Sequence, residues 1–88
     1  MNDRKNLQYA FELDREITSI EDNIKQLDEI HEEGLDRIGL SCNGKRYTIH
    51  ASEMVDLNLM PVIHTFIEAV QNARRRSLTE KLNEFKEL

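Results

Sequence analysis

The chain has 88 residues, of which 39% are apolar and 33% are charged, so it can form one domain with only a small core. It contains one cysteine, which excludes an intrachain disulfide, and it lacks the apolar runs of a membrane span or a secretory signal. We therefore expect a single domain over residues 1–88 in a reducing, cytoplasmic compartment.

The formal net charge of −5 is unevenly distributed along the chain. Residues 1–36 contain 11 Asp and Glu against 4 Lys and Arg, whereas residues 37–76 contain 6 Lys and Arg against 3 Asp and Glu. The acidic first segment and the basic middle are therefore separate features. Because non-specific nucleic-acid binding depends on many contacts between cations and phosphates, we do not expect this acidic chain to bind nucleic acid.

A long first helix is predicted over residues 3–33, with Asn2 or Asp3 as its cap and Gly34 as its stop. Its apolar residues follow alternating steps of three and four, the spacing of a seam that pairs with another helix. The seam residues are Ala10, Leu13, Ile17, Ile20, Ile24, Leu27 and His31. The pattern is widened at its ends by Leu7, Phe11 and Ile30. Residues 18–21 match a capping box, but the uninterrupted seam favours one continuous helix.

A β-hairpin is predicted over residues 37–50. Asn43-Gly44 suits a type I′ turn, because both central residues of that turn need a positive φ. A two-residue turn fixes the register, and the pairs on one face are Cys42 with Lys45, Leu40 with Tyr47, and Ile38 with Ile49. That face is largely apolar. Since a two-stranded hairpin alone is marginally stable, we expect the face to pack on a helix or on a second hairpin.

Two helices are predicted after the hairpin. Ser52 is expected to cap a short helix over about residues 53–57, and Pro61 to be the first residue of the last helix. The apolar residues of the last helix are Ile63, Phe66, Ile67, Val70 and Ala73, then Leu78, Leu82, Phe85 and Leu88. The two groups are connected only through successive steps of four residues, 70, 74, 78 and 82. We favour a continuous helix with a stutter, a shift in the apolar period that rotates the apolar face. The alternative is a break in the helix with Ser77 as the cap of a new helix.

The predicted fold class is α+β, mostly α. It consists of a long N-terminal helix, a two-stranded antiparallel β-hairpin, a short helix and a long C-terminal helix, with the two long helices antiparallel. A small, highly charged chain of this kind commonly completes its core with a partner or with a copy of itself. We expect a homo-oligomer, preferably a dimer. The residues predicted to mediate self-association are Leu13, Ile17, Ile20, Ile24 and Leu27.

Basic residues form the most distinctive polar feature of the sequence. The candidate residues for binding an anion or a partner are Lys45, Arg46, Arg74, Arg75 and Arg76. Three consecutive helical residues fan through about 200°, so the arginine triplet cannot lie on one face of a helix. The functional interpretation is a site for a nucleotide, RNA or an acidic protein. The structural alternative is a set of salt bridges to the acidic first helix.

No catalytic or metal-binding constellation is recognisable in the sequence. Cys42, His50 and His64 do not have the paired spacing of zinc ligands, and the hairpin register places Cys42 and His50 on opposite faces. The sequence around Asn43-Gly44 lacks the first glycine and the hydroxyl residue of a phosphate-binding loop. We therefore predict no catalytic residues, no metal and no cofactor, and we expect that the protein is not an enzyme.

These patterns predict a small, acidic, non-enzymatic module for protein–protein interaction and oligomerisation. A rod of carboxylates can imitate nucleic acid in the basic groove of another protein, as small phage inhibitors do. The structural alternative, which the composition favours, is an ordinary solvated helix face. One form of the hypothesis is therefore an inhibitor or adaptor of a host protein, encoded by a phage or another mobile element. The alternative is an oligomeric binder of a nucleotide or another phosphate ligand through the arginine cluster. No family motif can be carried over to this chain.

Overall fold

The computed structural model describes residues 3–88, apart from the side chain of Asp3. Its elements are α1 (Asp3–Glu33), β1 (Arg37–Cys42), β2 (Lys45–His50), α2 (Ala51–Asp56) and α3 (Met60–Lys86). The predicted fold class is therefore confirmed, including the order and type of all elements. The capping prediction for Asn2 and the Asp3 side chain lies outside the described residues. Within residues 3–88, no helix combines the length and the apolar character needed to cross a membrane.

The two long helices pack side by side in antiparallel orientation. The orientation follows from contacts whose residue numbers rise in α1 as they fall in α3, namely Tyr9 with Glu84, Glu16 with Lys81, and Asp28 with Gln71. Both helices are continuous, so a break at Ser77 does not occur and the prediction of an unbroken last helix is confirmed. α1 stops as expected at Gly34, whose φ is 92° and whose N–H donates to the Ile30 carbonyl at 2.8 Å.

The predicted seam of α1 forms the interface between α1 and α3. Leu13 is only 1% exposed, and Ile17 and Ile20 are also buried. α3 is the main element in the described chain that packs along α1. The apolar period of the sequence therefore identified the correct helix face, and its partner is the second helix of the same chain.

The buried face of α3 is narrower than its apolar pattern predicted. The buried residues follow steps of four, Ile63, Ile67 and Gln71, whereas Phe66 is 67% exposed and Ala73 is also exposed. Successive helical residues point about 100° apart, so Phe66 and Ile67 cannot both face a single neighbouring helix. Phe66 and Ala73 belong to the apolar pattern of α3 but lie outside the core face of the single chain.

The hairpin has the predicted register, with Cys42 opposite Lys45 and Ile38 opposite Ile49. Asn43 and Gly44 both have positive φ values, 48° and 78°, as a type I′ turn requires. Docking of the apolar face is confirmed only at the base of the hairpin. Ile38 and Ile49 pack against the core cluster described below, whereas the pair nearer the turn, Leu40 and Tyr47, remains exposed.

A second small core joins the hairpin to the helices. Met54 of α2 is fully buried and forms a cluster with Ile63 and Ile67 of α3. α2 is followed by a left-handed residue, Asn58, with φ 55°. The Asn58 N–H donates to the Val55 carbonyl, and the Leu59 N–H donates to the Met54 carbonyl at 2.8 Å. This pattern is a Schellman motif, which turns the chain from α2 into α3.

Two predicted helix starts differ from the structure. α2 begins at Ala51, directly after β2, and Ser52 lies inside the helix instead of capping it. The Ala51 N–H already donates to the Asp36 carbonyl at 2.9 Å, so the end of the hairpin takes the place of a side-chain cap. α3 begins one residue before Pro61. The missing N–H of proline is harmless there as well, since the first turn of a helix lacks intrahelical acceptors.

The molecule is long and thin, with extents of 60, 29 and 16 Å. Its radius of gyration is 18.1 Å, against about 12 Å for a compact domain of this length. The two long helices form a single layer, and in residues 3–88 the other elements pack on it only at the end that carries the hairpin. A stable domain normally has two packed layers around its core, and this chain supplies only one along most of its length.

We expect Leu13→Ala to lower the free energy of unfolding by about 3 kcal/mol, because it removes a fully buried side chain and leaves a cavity. The matched control is Leu7→Ala, the same change on the same helix at a residue that is 59% exposed, with an expected effect of about 0.5 kcal/mol or less. Urea unfolding followed by circular dichroism measures both. Equal effects of the two substitutions would contradict the packing of α1 on α3 described above.

Candidate functional site

Large apolar side chains lie on the surface to an unusual extent. All three phenylalanines of the chain, Phe11, Phe66 and Phe85, are exposed. Aromatic side chains stabilise a fold most when they are buried. The three phenylalanine side chains remain in contact with water in the single chain, and they therefore contribute little hydrophobic stabilisation to it.

These exposed residues fall into groups at the two ends of the helix pair. At the open end, where α1 begins and α3 ends, they are Leu7, Phe11, Leu82, Phe85 and Leu88. At the end joined by the hairpin, they are Ile30, Val55, Leu57, Val62 and Phe66. The hairpin itself adds Leu40 and Tyr47. Exposed apolar patches rimmed by charged residues are typical of interaction surfaces.

The residues predicted to mediate self-association do not form such a surface. Leu13, Ile17 and Ile20 are buried, and Ile24 and Leu27 are half-buried. α3 of the same chain already occupies the seam, so a second copy could reach these residues only by displacing α3. The exposed apolar residues lie beside the seam. The sequence signal for them was the widening of the apolar pattern at Leu7, Phe11 and Ile30.

Arg75 pairs with the acidic first helix. Its Nη2 donates to both carboxylate oxygens of Asp28, at 2.8 and 3.0 Å. Asp28 Oδ1 also accepts a hydrogen bond from Gln71 Nε2 at 2.9 Å, and Gln71 is the buried polar residue of the described chain. For this arginine the structural alternative, a salt bridge to α1, is the one observed. Sequence reasoning missed Gln71, because it occupies a position that the apolar pattern of α3 skips.

The other four candidate cations do not gather around Arg75. Arg74 lies in a groove on a different side of α3, as the fan of three consecutive helical residues predicts, and Arg76 is exposed. Lys45 and Arg46 are exposed near the turn of the hairpin, whose base packs against Ile63 and Ile67, about 16 and 10 Å from Arg74 along α3.

The groove that contains Arg74 runs between α1 and α3 and has a volume of about 610 Å³. Its charged lining residues are Glu12, Arg15, Glu16, Arg74 and Lys81. Lys81 Nζ lies 3.0 Å from Glu16 Oε2 and 3.8 Å from Glu84 Oε2. The groove therefore carries both signs of charge, with acids already placed against one of its cations.

A hydrogen bond joins α1 and α3 near the open end, on the side of the helix pair that carries the groove. The Tyr9 hydroxyl donates to Glu84 Oε2 at 3.1 Å. This hydrogen bond and the negative charge of Glu84 raise the pKa of Tyr9 above its ordinary value. The Glu16 carboxylate likewise raises the pKa of Lys81, first through a hydrogen bond and then through its charge. Both groups are at the surface, so these contacts position side chains more than they stabilise the fold.

The histidines and the cysteine do not form a reactive cluster. The rings of His31 and His64 lie with their centres 5.6 Å apart where α1 and α3 meet near the hairpin. Cys42 is an exposed free thiol near the hairpin turn. Across the described chain, no three side chains of His, Cys, Asp or Glu come together as metal ligands.

No protein-family model, curated protein or solved structure matches this chain. Its function has therefore to be inferred from its own surfaces. The features that stand out are exposed apolar patches on a single layer of two helices, an acidic outer surface of α1, and a groove of mixed charge.

The Arg75–Asp28 pair should stabilise the fold only slightly. The two side chains are about half exposed, so we expect a coupling of about 0.5 kcal/mol in a double-mutant cycle of Arg75→Gln and Asp28→Asn. The same cycle with Arg76→Gln is the control and should show a coupling near zero. Urea unfolding of the variants provides the measurement, and equal couplings in both cycles would refute the pairing of Arg75 with Asp28.

The raised pKa of Tyr9 gives a pH dependence of known sign. The native state holds the phenolic proton more tightly than the unfolded state, so this stabilisation is present below pH 10.0 and is lost as the pH rises through the raised pKa. Glu84→Gln removes the charge and should return the pKa towards 10.0. Absorbance titration of tyrosinate in a Tyr47→Phe background reports Tyr9 alone, since the chain has two tyrosines. Glu80→Gln is the control, and an effect equal to that of Glu84→Gln would contradict the hydrogen bond.

Proposed function

We propose that the protein is a non-enzymatic interaction module that is folded as a homodimer and that binds another protein. The observation that carries this proposal is the surface area of the single chain, 7395 Å². A compact monomer of 10.4 kDa exposes about 5,400 Å². The single chain thus leaves about 2,000 Å² more of its surface in water than a compact monomer does.

The size of this excess matches what an obligate dimer buries. Obligate homodimers bury roughly 1,000–2,500 Å² on each chain, and their interfaces resemble a domain core cut in half. The exposed aromatic residues are of the type that forms the buried centre of interfaces. A second layer of helices supplied by a second copy would give the helix pair the covered core that it lacks.

The acidic outer surface of α1 supports the second part of the proposal, binding to another protein. Its exposed carboxylates outside the Asp28 pair include Asp14, Glu21, Asp22, Glu29 and Glu32. A rigid rod of negative charge of this kind is complementary to a basic groove, such as one that normally holds nucleic acid. An inhibitor or adaptor of a basic host protein, acting in the cytoplasm and encoded by a phage or mobile element, is the form of this function that we propose.

The alternative proposal, binding of a nucleotide or another phosphate compound, is supported by one observation. Arg74 and Lys81 lie in the same groove, and Arg15 lines it as well. Cations from both helices could thus approach one phosphate group. The carboxylates of Glu12 and Glu16 in the same groove oppose such binding, so we place this function second.

Native mass spectrometry of the protein as purified, together with light scattering after size exclusion, tests both proposals. The dimer proposal predicts about twice the chain mass of 10.4 kDa across a wide range of protein concentration. A monomer at all concentrations would overturn it. An added mass of a nucleotide that disappears in Arg74→Gln, but remains in the control Arg76→Gln, would establish the alternative function instead.

A further inference from the structure

One side of α1 carries an uncharged strip on an otherwise acidic helix. Its residues, Ser19, Asn23, Gln26 and Ile30, follow steps of four, three and four, so they lie along one line of the helix surface. All four are exposed or half-exposed, and Ile30 is a large apolar residue among them. Eleven of the first 36 residues are acidic, so four successive positions of this line without a charge stand apart from the rest of α1.

α3 carries a corresponding uncharged strip. Its residues, Val62, Phe66, Ala69 and Ala73, follow the same steps of four, three and four, and Ser77 extends the strip by a further turn. Val62 and Phe66 are each 67% exposed. The strip is apolar along its whole length before Ser77, although α3 makes no use of it in the core of the single chain.

The two strips lie on the same side of the helix pair. Residues 18 apart in a helix are separated by five full turns, so Phe66 shares the side of Glu84, and Ile30 that of Glu12. Glu84 lies 3.8 Å from Lys81, and Lys81 lines one groove with Glu12, so these two sides form one face of the pair. Arg75 is two and a half turns from Phe66, which places the Arg75–Asp28 pair on the opposite face.

We propose that the dimer forms by packing this face, the two strips together, onto the same face of a second copy in antiparallel orientation. The inference rests on the proposed dimer and specifies its surface and geometry. Interface centres are depleted of charged residues, and in a chain that is 33% charged both strips are free of charge. The charged groove with Glu12, Glu16 and Lys81 lies on the same face, towards the open end. The paired faces complete a four-helix bundle with the second layer that the single chain lacks.

The large surface area of the single chain indicates that a second copy of the chain covers this face. The excess of about 2,000 Å² over a compact monomer lies within the range that each chain of an obligate homodimer buries. In a two-fold symmetric dimer both chains contribute the same surface, so the face can pack against the same face of a second copy. An isologous contact of this kind leaves the acidic outer surface of α1 free for another protein.

The basic hairpin tips favour the antiparallel orientation. A parallel dimer would place the two tips, each with Lys45 and Arg46, at the same end of the bundle. The antiparallel dimer places them at opposite ends, which avoids repulsion between like charges. In this orientation Phe66 packs against Ala73 of the second copy, a large side chain against a small one, and the two-fold axis passes next to Ala69.

Charge substitutions at two exposed phenylalanines test the surface. Phe66→Asp should convert the dimer to a monomer, whereas Phe11→Asp should leave it dimeric, since Phe11 is 63% exposed but lies at the open end, outside both strips. Light scattering after size exclusion reports the mass, and circular dichroism shows whether the helices persist. A dimer that survives Phe66→Asp, or that only Phe11→Asp dissociates, would overturn the proposed face.

Cross-linking tests the orientation without relying on loss of function. In a Cys42→Ser background, Ala69→Cys should form a disulfide-linked dimer on oxidation with diamide, because this residue lies next to its counterpart at the two-fold axis. Val62→Cys should not, because antiparallel packing separates the two copies of this residue by about 22 Å. A parallel two-fold dimer of the same faces would place α3 on α1 of the second copy, so neither position would cross-link. Cross-linking at neither position, or through Val62→Cys, would overturn the geometry.

The outcomes separate this inference from the proposed function. A monomeric wild-type protein removes both, because there is then no dimer whose surface could be assigned. A wild-type dimer that is insensitive to Phe66→Asp and does not cross-link through Ala69→Cys retains the proposed function and removes only this face. Loss of the dimer in Phe66→Asp together with selective cross-linking of Ala69→Cys supports both.

Discussion

The packing of α1 against α3 is the interaction on which the rest of the structure depends. Leu13, Ile17 and Ile20 are buried in that contact, and it is the long-range contact that holds the two helices as a pair. Because the contact involves one face of each helix and no second layer, it leaves both broad faces of the pair in water. The thin shape, the exposed phenylalanines and the large surface area all follow from this one-layer packing.

The fold was largely predictable from the sequence because its signals are local. Asn43-Gly44 demands a two-residue turn, Gly34 permits the left-handed stop of α1, and the alternating steps of three and four identify the seam. The start of α2 was not predictable in the same way. It is determined by a hydrogen bond from Ala51 to Asp36, a contact across the base of the hairpin that no local pattern contains.

The candidate site was less predictable, because an apolar pattern shows that a residue needs cover but not which element covers it. The seam of α1 was assigned to a second copy, yet α3 of the same chain occupies it. Phe66 belongs to the same apolar pattern as the buried Ile63 and Ile67, yet it is exposed, and it forms part of the surface proposed for the second copy. The arginine triplet behaved as its geometry predicted: the three side chains diverge, and only the surroundings of Arg75 and Asp28 could show which of them is paired.

The segment between the long helices, residues 34–59, has a consequence for the order in which the chain folds. The contacts that hold α1 to α3 join residues far apart in sequence, such as Asp28 and Gln71, and closing such a distance costs chain entropy before any contact repays it. The hairpin forms from neighbouring residues, and together with the Asn58 turn it shortens the effective loop between the helices. The connection therefore brings the C-terminal end of α1 close to the N-terminal end of α3. Contacts between the helices then form successively from this end towards the open end.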